Sequence, residues 1–140
     1  MMEILLVEDN PGDVRLTEEI LKESRVKNHL HVASDGEEAL DFLHKKGKYA
    51  DVPRPDFILL DLNLPKKSGH EVLSKIKAHR VLKRIPVAIL SSSSTKEDVV
   101  KSYNLHANCY IKKPIGIAQF MAAMSALEDF WFSIVQLSPE

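Results

Sequence analysis

Cysteine is almost missing from this chain: Cys109 stands alone among 140 residues. A lone thiol excludes an internal disulfide and any multi-cysteine metal site, and it fits a reducing compartment. Its expected role is packing. An excess of one charge is missing too. Nineteen basic and 20 acidic residues leave a formal net charge of -1, so no global field draws the chain to nucleic acid or to an anionic membrane. The basic groups Lys45-Lys46, Lys66-Lys67 and Lys83-Arg84 are short and dispersed, unlike the stripe of a nucleic-acid binder. No run nears the roughly 20 apolar residues of a membrane span, and Met1-Met2-Glu3 places no basic region before the first apolar run. A cytoplasmic protein is expected, with neither nucleic acid nor membrane as partner. The segment Lys66-Lys67-Ser68-Gly69 lacks the glycine spacing of a phosphate-binding loop, so nucleotide binding is not expected. The six histidines are scattered; only His29-x-His31 has a ligand-like spacing, and it reads as a pair of surface residues on a strand and not as a metal site. His106 is expected to pack near the fifth strand.

What is present is an apolar content of 44%, enough for one domain with a single core. Short apolar runs alternate with longer amphipathic stretches, the pattern of a parallel sheet covered by helices on both faces. Strands are expected at 3–7, 29–33, 56–60, 86–90 and 107–111. The first helix starts with Asn10 as N-cap and Pro11 in its first turn, turns Val14, Leu16, Ile20 and Leu21 inward, and ends near Arg25. The second follows Asp35-Gly36, buries Ala39, Leu40 and Leu43, and breaks around Gly47. A surface loop with no chemistry of its own is expected over Lys45 to Pro55. Ser68-Gly69-His70-Glu71 has the capping-box spacing for the third helix, and Thr95-Lys96-Glu97-Asp98 is a looser start for the fourth. The fifth spans 116–129, with Phe120, Met121, Met124 and Leu127 on one face. Residues 1–129 form the domain, and the apolar extension 130–140 is expected to pack on it or on a partner.

Chemistry collects at the strand ends. Glu8-Asp9 follows the first apolar run, Asp61 the third, Ser91 the fourth and Lys112-Lys113-Pro114 the fifth. Residues just past the carboxyl ends of parallel strands meet in a crevice where the strand order reverses. Carboxylates gathered there repel one another, which implies raised pKa values or a hard divalent cation held by oxygen ligands; the cation is the favoured account.

In that order, Glu-Asp, Asp, Ser and Lys-Pro, the chain resembles the receiver domain of two-component response regulators over residues 3–129. The resemblance implies a flavodoxin-like α/β fold, a five-stranded parallel sheet in order 2-1-3-4-5 with helices on both faces. It further implies that Asp61 is the phosphoacceptor, with Mg2+ held by Glu8, Asp9, Asp61 and the backbone carbonyl of Asn63. Lys113 would pair with the phosphoryl group, Ser91 would sense it, Tyr110 would report it through its rotamer, and the Lys113-Pro114 bond would be cis. The phosphoryl source would be a sensor histidine kinase, and the output surface helix four, strand five and helix five. Serine at 91 keeps the hydroxyl of the commoner threonine, and Glu8 replaces a second aspartate. A narrower likeness, to small single-domain regulators associated with cyanobacterial phytochromes, rests on Asp61-Leu62-Asn63-Leu64-Pro65-Lys66-Lys67, Leu82-Lys83-Arg84-Ile85-Pro86, Asn108-Cys109-Tyr110 and Phe130-Trp131. It implies homodimerisation through the same surface. The expected protein is a phosphoacceptor switch, limited to self-phosphorylation and slow autodephosphorylation. Phosphatases that use an aspartyl phosphate commonly place a second acid two residues on, where this chain has Asn63.

Overall fold

The five apolar runs form five parallel strands, β1 (Met2–Val7), β2 (Asn28–Ala33), β3 (Phe57–Asp61), β4 (Val87–Ser91) and β5 (Cys109–Lys112). They lie in the order β2-β1-β3-β4-β5, as the resemblance implied. The computed structural model describes residues 2–23, 27–92, 95–113, 116–123 and 125. Extended segments of Val, Ile and Leu suit the centre of such a sheet because both faces are covered, so every side chain can be apolar. β3 and β4 are buried at every position, while the edge strand β2 is exposed or half-buried at all but one.

Helices α1 (Pro11–Glu23), α2 (Gly36–Leu43), α3 (Gly69–Ala78) and α4 (Lys96–Asn104) occupy the connections, and residues 117–123 are helical and are named α5. Alternate residues of a strand face opposite sides, and the core divides accordingly. Leu5, Val7, Ile58, Leu60 and Ile89 pack with Phe42 of α2 and with Val72, Leu73 and Ile76 of α3. Ile4, Leu6, Leu59 and Leu90 pack with Ile20 and Leu21 of α1 and with Phe120 of α5. Cys109 sits at the margin of this second cluster, where burial pushes its thiol upward and keeps it protonated.

The expected caps are in place. The Asp13 N–H donates to Asn10 Oδ1, the Glu38 N–H to Asp35 Oδ1, the Glu71 N–H to Ser68 Oγ and the Asp98 N–H to Thr95 Oγ1. Such caps satisfy amides that have no partner inside their helix. Several bounds differ from expectation by a residue or more. Asp61 and Ser91 end β3 and β4 instead of following them, and α2 stops at Leu43, where the His44 N–H turns back to Leu40 O and the Lys45 N–H to Phe42 O. β5 starts at Cys109 because the Ala107 N–H closes onto Ser102 O and Asn108 is used in binding β4. The segment from Lys45 to Pro55 is not wholly loose: it holds a short 3-10 turn, Gly47–Tyr49, and Tyr49 and Val52 pack on the core. His106 corrects another expectation. It is exposed, with φ 71, and it turns the chain from α4 into β5. The end of α1 near Arg25, the Lys113-Pro114 bond, and the positions expected to complete the fifth helix and the apolar extension lie outside the described residues.

Candidate functional site

The carboxyl ends of β1, β3 and β5 converge on one cavity of about 600 Å³, lined by Glu8, Asp9, Asp13, Asp61, Asn63 and Lys113 together with Asn10, Pro11 and Ser92. Glu8 comes from the end of β1, where its backbone N–H is held by Ala33 O at 3.0 Å. Asp61 is the last residue of β3, and the turn after it is set by α3. Gly69 lies so close behind Asp61 that a Cβ there would stand 2.3 Å from Asp61 O and 2.5 Å from Leu62 Cα. The missing side chain lets the start of α3 rest on this backbone, where the Gly69 N–H donates to Leu62 O at 2.9 Å. Lys113 follows β5, and its backbone N–H donates to Ser91 O at 2.7 Å. That bond ties the ends of β4 and β5 together.

Lys113 Nζ is the hub of the site. It lies 2.6 Å from Glu8 Oε1, 2.8 Å from Asp13 Oδ2 and 3.2 Å from Asp61 Oδ2. Asp61 Oδ1 accepts the Asn63 N–H at 3.1 Å, so the two oxygens of Asp61 have different neighbours. Glu8 and Asp61 are 2% and 4% exposed, whereas Asp9 is open to solvent. One ligand oxygen from each of Glu8, Asp9 and Asp61 lies within 4.8 Å of the other two.

Charge at the site is unbalanced. Burial pushes the Glu8 carboxyl up to about 7; Lys113 opposes that rise, and the neighbouring charge of Asp61 adds to it. Burial works against the Lys113 ammonium, but hydrogen bonds to Asp13 and Glu8 and the charge of Asp61 outweigh it and hold the group above its usual value. Lys113 is therefore charged at any physiological pH. Four carboxylates face one ammonium across the cavity. An all-oxygen donor set with surplus negative charge is what a hard divalent cation requires, so Glu8, Asp9 and Asp61 fit such an ion.

Glu8, Asp9, Asp61 and Lys113, read from the sequence as one site, are brought together. Ser91 is fully buried at the end of β4, one residue before the cavity wall, which is lined by Ser92. Tyr110 is half-buried on β5 against the cluster beneath α3. Asp13 is the residue the sequence reading missed as a site group. It stands one helical turn beyond Asp9, and that i, i+4 spacing near a helix start was the available signal.

A family model described as the response regulator receiver domain matches residues 4–125. The chain belongs to that family. This receiver is 47% identical over 134 residues to response regulator Rcp1 of Synechocystis sp. (strain PCC 6803), covering 96% of this chain and 91% of Rcp1. It also resembles the crystal structure of the phosphorylated cyanobacterial phytochrome response regulator RcpA, with a TM-score of 0.81 and 48% identity over 95% of each chain. The Mn(2+)-bound form of Rcp1 superposes with a TM-score of 0.81 at 47% identity, over 94% of each chain. A CheY-like receiver from Methanospirillum hungatei JF-1, only 22% identical, shares the fold with a TM-score of 0.79 over 95% of this chain and 98% of that one. This protein is thus a receiver-type response regulator of two-component signalling, a switch built on a CheY-like fold. Among the described residues, no helix is long and apolar enough to cross a membrane.

Proposed function

We propose that Asp61 accepts a phosphoryl group from a sensor histidine kinase, and that the resulting charge switches the surface formed by α4, β5 and α5. One observation carries this reading: Lys113 Nζ lies 3.2 Å from Asp61 Oδ2, inside the group of acids completed by Glu8 and Asp9. Asp61 Oδ1 accepts the Asn63 N–H and Oδ2 accepts from Lys113 Nζ, and Oδ2, beside the ammonium that would meet the phosphoryl oxygens, is the atom assigned to attack phosphorus. The P–Oδ2 bond forms as the P–N bond of a phosphohistidine breaks, and the departing imidazole keeps its electron pair and takes up a proton. A carboxylate is a competent nucleophile for this transfer, and no general base is needed. Lys113 neutralises oxygens that carry charge in a loose transition state. Glu8, Asp9, Asp61 and the Asn63 carbonyl would hold Mg2+, which would supply the remaining neutralisation when bound. Glu8 and Asp9 would orient the ion, and Asp13 Oδ2 holds the Lys113 ammonium at 2.8 Å.

Ser91 and Tyr110 are the proposed switch pair. Ser91 ends β4 beside Asp61, and its carbonyl already holds the Lys113 N–H. A hydroxyl drawn toward phosphoryl oxygens would move the loop after β4, and Tyr110 would follow into the space released. Val100 and Tyr103 of α4 and Ile117 of α5 are large apolar residues left 45%, 48% and 42% exposed. That pattern supports pairing with a second copy through this surface. The likeness to Rcp1 and RcpA supports a phytochrome-type kinase as donor and a cytoplasmic setting, and slow loss of the phosphoryl group by autodephosphorylation completes the cycle.

Incubation with Mg2+ and acetyl phosphate, followed by intact-mass measurement, tests the reading. One phosphoryl adduct is expected for the wild type and none for Asp61→Asn. An adduct that persists in Asp61→Asn would place the acceptor elsewhere. Rapid multiple turnover of the donor would make the protein an enzyme in place of a switch.

A further inference from the structure

The geometry points to a second metal site, formed by Glu3, His29 and His31 at the amino ends of β1 and β2, for a borderline transition-metal ion of the zinc class. Parallel pairing sets Glu3 opposite His29 and Leu5 opposite His31. Residues two apart on a strand share a face, so Glu3, His29 and His31 emerge together on the side that Leu5, Val7 and Ala33 carry into the core. Glu3 Oε1 lies 3.4 Å from His29 Nδ1 and 2.8 Å from His31 Nε2, and the three atoms fall within 4.8 Å of one another. A tetrahedral ion with bonds of about 2.0–2.2 Å holds its ligand atoms roughly 3.4 Å apart. Only small side-chain adjustments separate this arrangement from that spacing.

Two of the three ligands are already oriented. The His31 ring packs at 5.3 Å against Phe42 and is 20% exposed at its side chain, and Glu3 is clamped at its backbone by Asp56 in both directions, at 2.8 and 2.7 Å. Neighbours that fix ligand orientation are a regular part of metal sites. His29, 65% exposed at its side chain, is the mobile ligand, and its ring lies 5.1 Å from that of His31. An ion entering would take the place of the hydrogen bond between His31 Nε2 and Glu3 Oε1, with His31 binding as the neutral imidazole. The fourth coordination position would face water on the His29 side.

Chemistry separates this site from the phosphorylation site. Two imidazole nitrogens and one carboxylate suit zinc, copper or nickel, whereas the carboxylates at the other end of the sheet suit magnesium or manganese. Five residues of strand separate Glu3 from Glu8, about 16 Å at the rise of an extended chain. With one ligand on β1 and two on β2, the ion would fasten the edge strand to the centre of the sheet. A ligand that binds only the folded state raises its stability.

Zn2+ titrated by calorimetry into tag-free protein, with excess Mg2+ present to occupy the acidic cavity, tests the proposal. One zinc per chain is expected, with a Kd in the micromolar range or tighter and a rise in Tm. His29→Ala and Glu3→Gln should each weaken binding by about tenfold or more, while both variants still take one phosphoryl group from acetyl phosphate. Co2+ should give the intense visible bands of a four-coordinate ion, and these should vanish in His29→Ala. His29 is exposed, so that variant keeps the wild-type urea midpoint in the absence of zinc. Three results would overturn the site: binding only at millimolar zinc, zinc uptake unchanged in His29→Ala, or uptake abolished by Asp9→Asn or by His44→Ala, whose ring lies 5.2 Å from His79.

Discussion

Glu8 is a buried acid with a pKa near 7, and that single value sets a pH dependence. An unfolded glutamate titrates near 4.5, so between about pH 4.5 and 7 the folded chain binds the extra proton. The stability associated with this residue is therefore full on the acid side and is lost as pH rises through the window. A divalent cation must displace the same proton, so Mg2+ affinity should climb from about pH 5 to 7 and level off above it. Calorimetric titration across that range measures the slope, which should flatten in Glu8→Gln. Gly69 supports a second expectation. The Cβ added in Gly69→Ala would collide with backbone, not with a flexible side-chain end, so the variant should lose about 1–3 kcal/mol of stability by urea unfolding and take up phosphoryl more slowly. Glu8, Asp9, Asp61 and Lys113 were legible in the sequence because they follow apolar runs that end at the same edge of a sheet. Gly69 was legible only as part of a helix start, since the contact that makes glycine necessary is with Asp61, eight positions away and on another element.

Among the elements, α3 is joined to the rest of its face by a lysine. Lys77 Nζ donates to Lys83 O at 3.2 Å, Ile85 O at 2.9 Å and Asn108 Oδ1 at 3.3 Å, and the same Asn108 oxygen accepts the Val87 N–H at 2.9 Å. Burial pushes the ammonium down to about 8. Lys77→Met keeps much of the stem but strands these acceptors, and it should cost about 1–3 kcal/mol in urea unfolding. Nothing in the local pattern around Lys77 announced this role, because its partners lie on two other segments, Lys83 to Ile85 and Asn108. Helix starts were easier to read. Asn10, Asp35, Ser68 and Thr95 each place a capping oxygen immediately before an amphipathic stretch, and each makes the expected bond. Helix ends were harder, since the left-handed positions at Lys45 after α2 and His106 after α4 carry no glycine to mark the turn. Glu3, His29 and His31 show the same limit for a cluster. The histidines were visible as a spaced pair, but only the register of β1 against β2 supplies the carboxylate.

Taken as a whole, the molecule gathers its acidic cavity at the carboxyl end of the sheet and leaves Val100, Tyr103 and Ile117 exposed on α4 and α5. If that surface pairs two copies, Tyr103→Glu should give a monomer by light scattering in the presence of acetyl phosphate, where the wild type is a dimer. Phosphorylation of Asp61 should be unaffected, because Tyr103 does not line the cavity. The order 2-1-3-4-5 was legible through likeness to a family; alternation alone specified a parallel sheet without saying which strand sits at its border.

That border position bears on how the switch works. β3, which ends in Asp61, is flanked on both sides by β1 and β4, whereas β5, which leads to Lys113, has β4 as its sole strand neighbour among the described residues. Asp61, the proposed nucleophile, is thus anchored from two directions, and Lys113, the proposed partner of the phosphoryl group, follows a strand with fewer described partners. Amide hydrogen exchange should be slower in β3 than in β5. On the proposed function, accuracy at the reacting atom and compliance in the responding one would come from placing them at different distances from the middle of the same sheet.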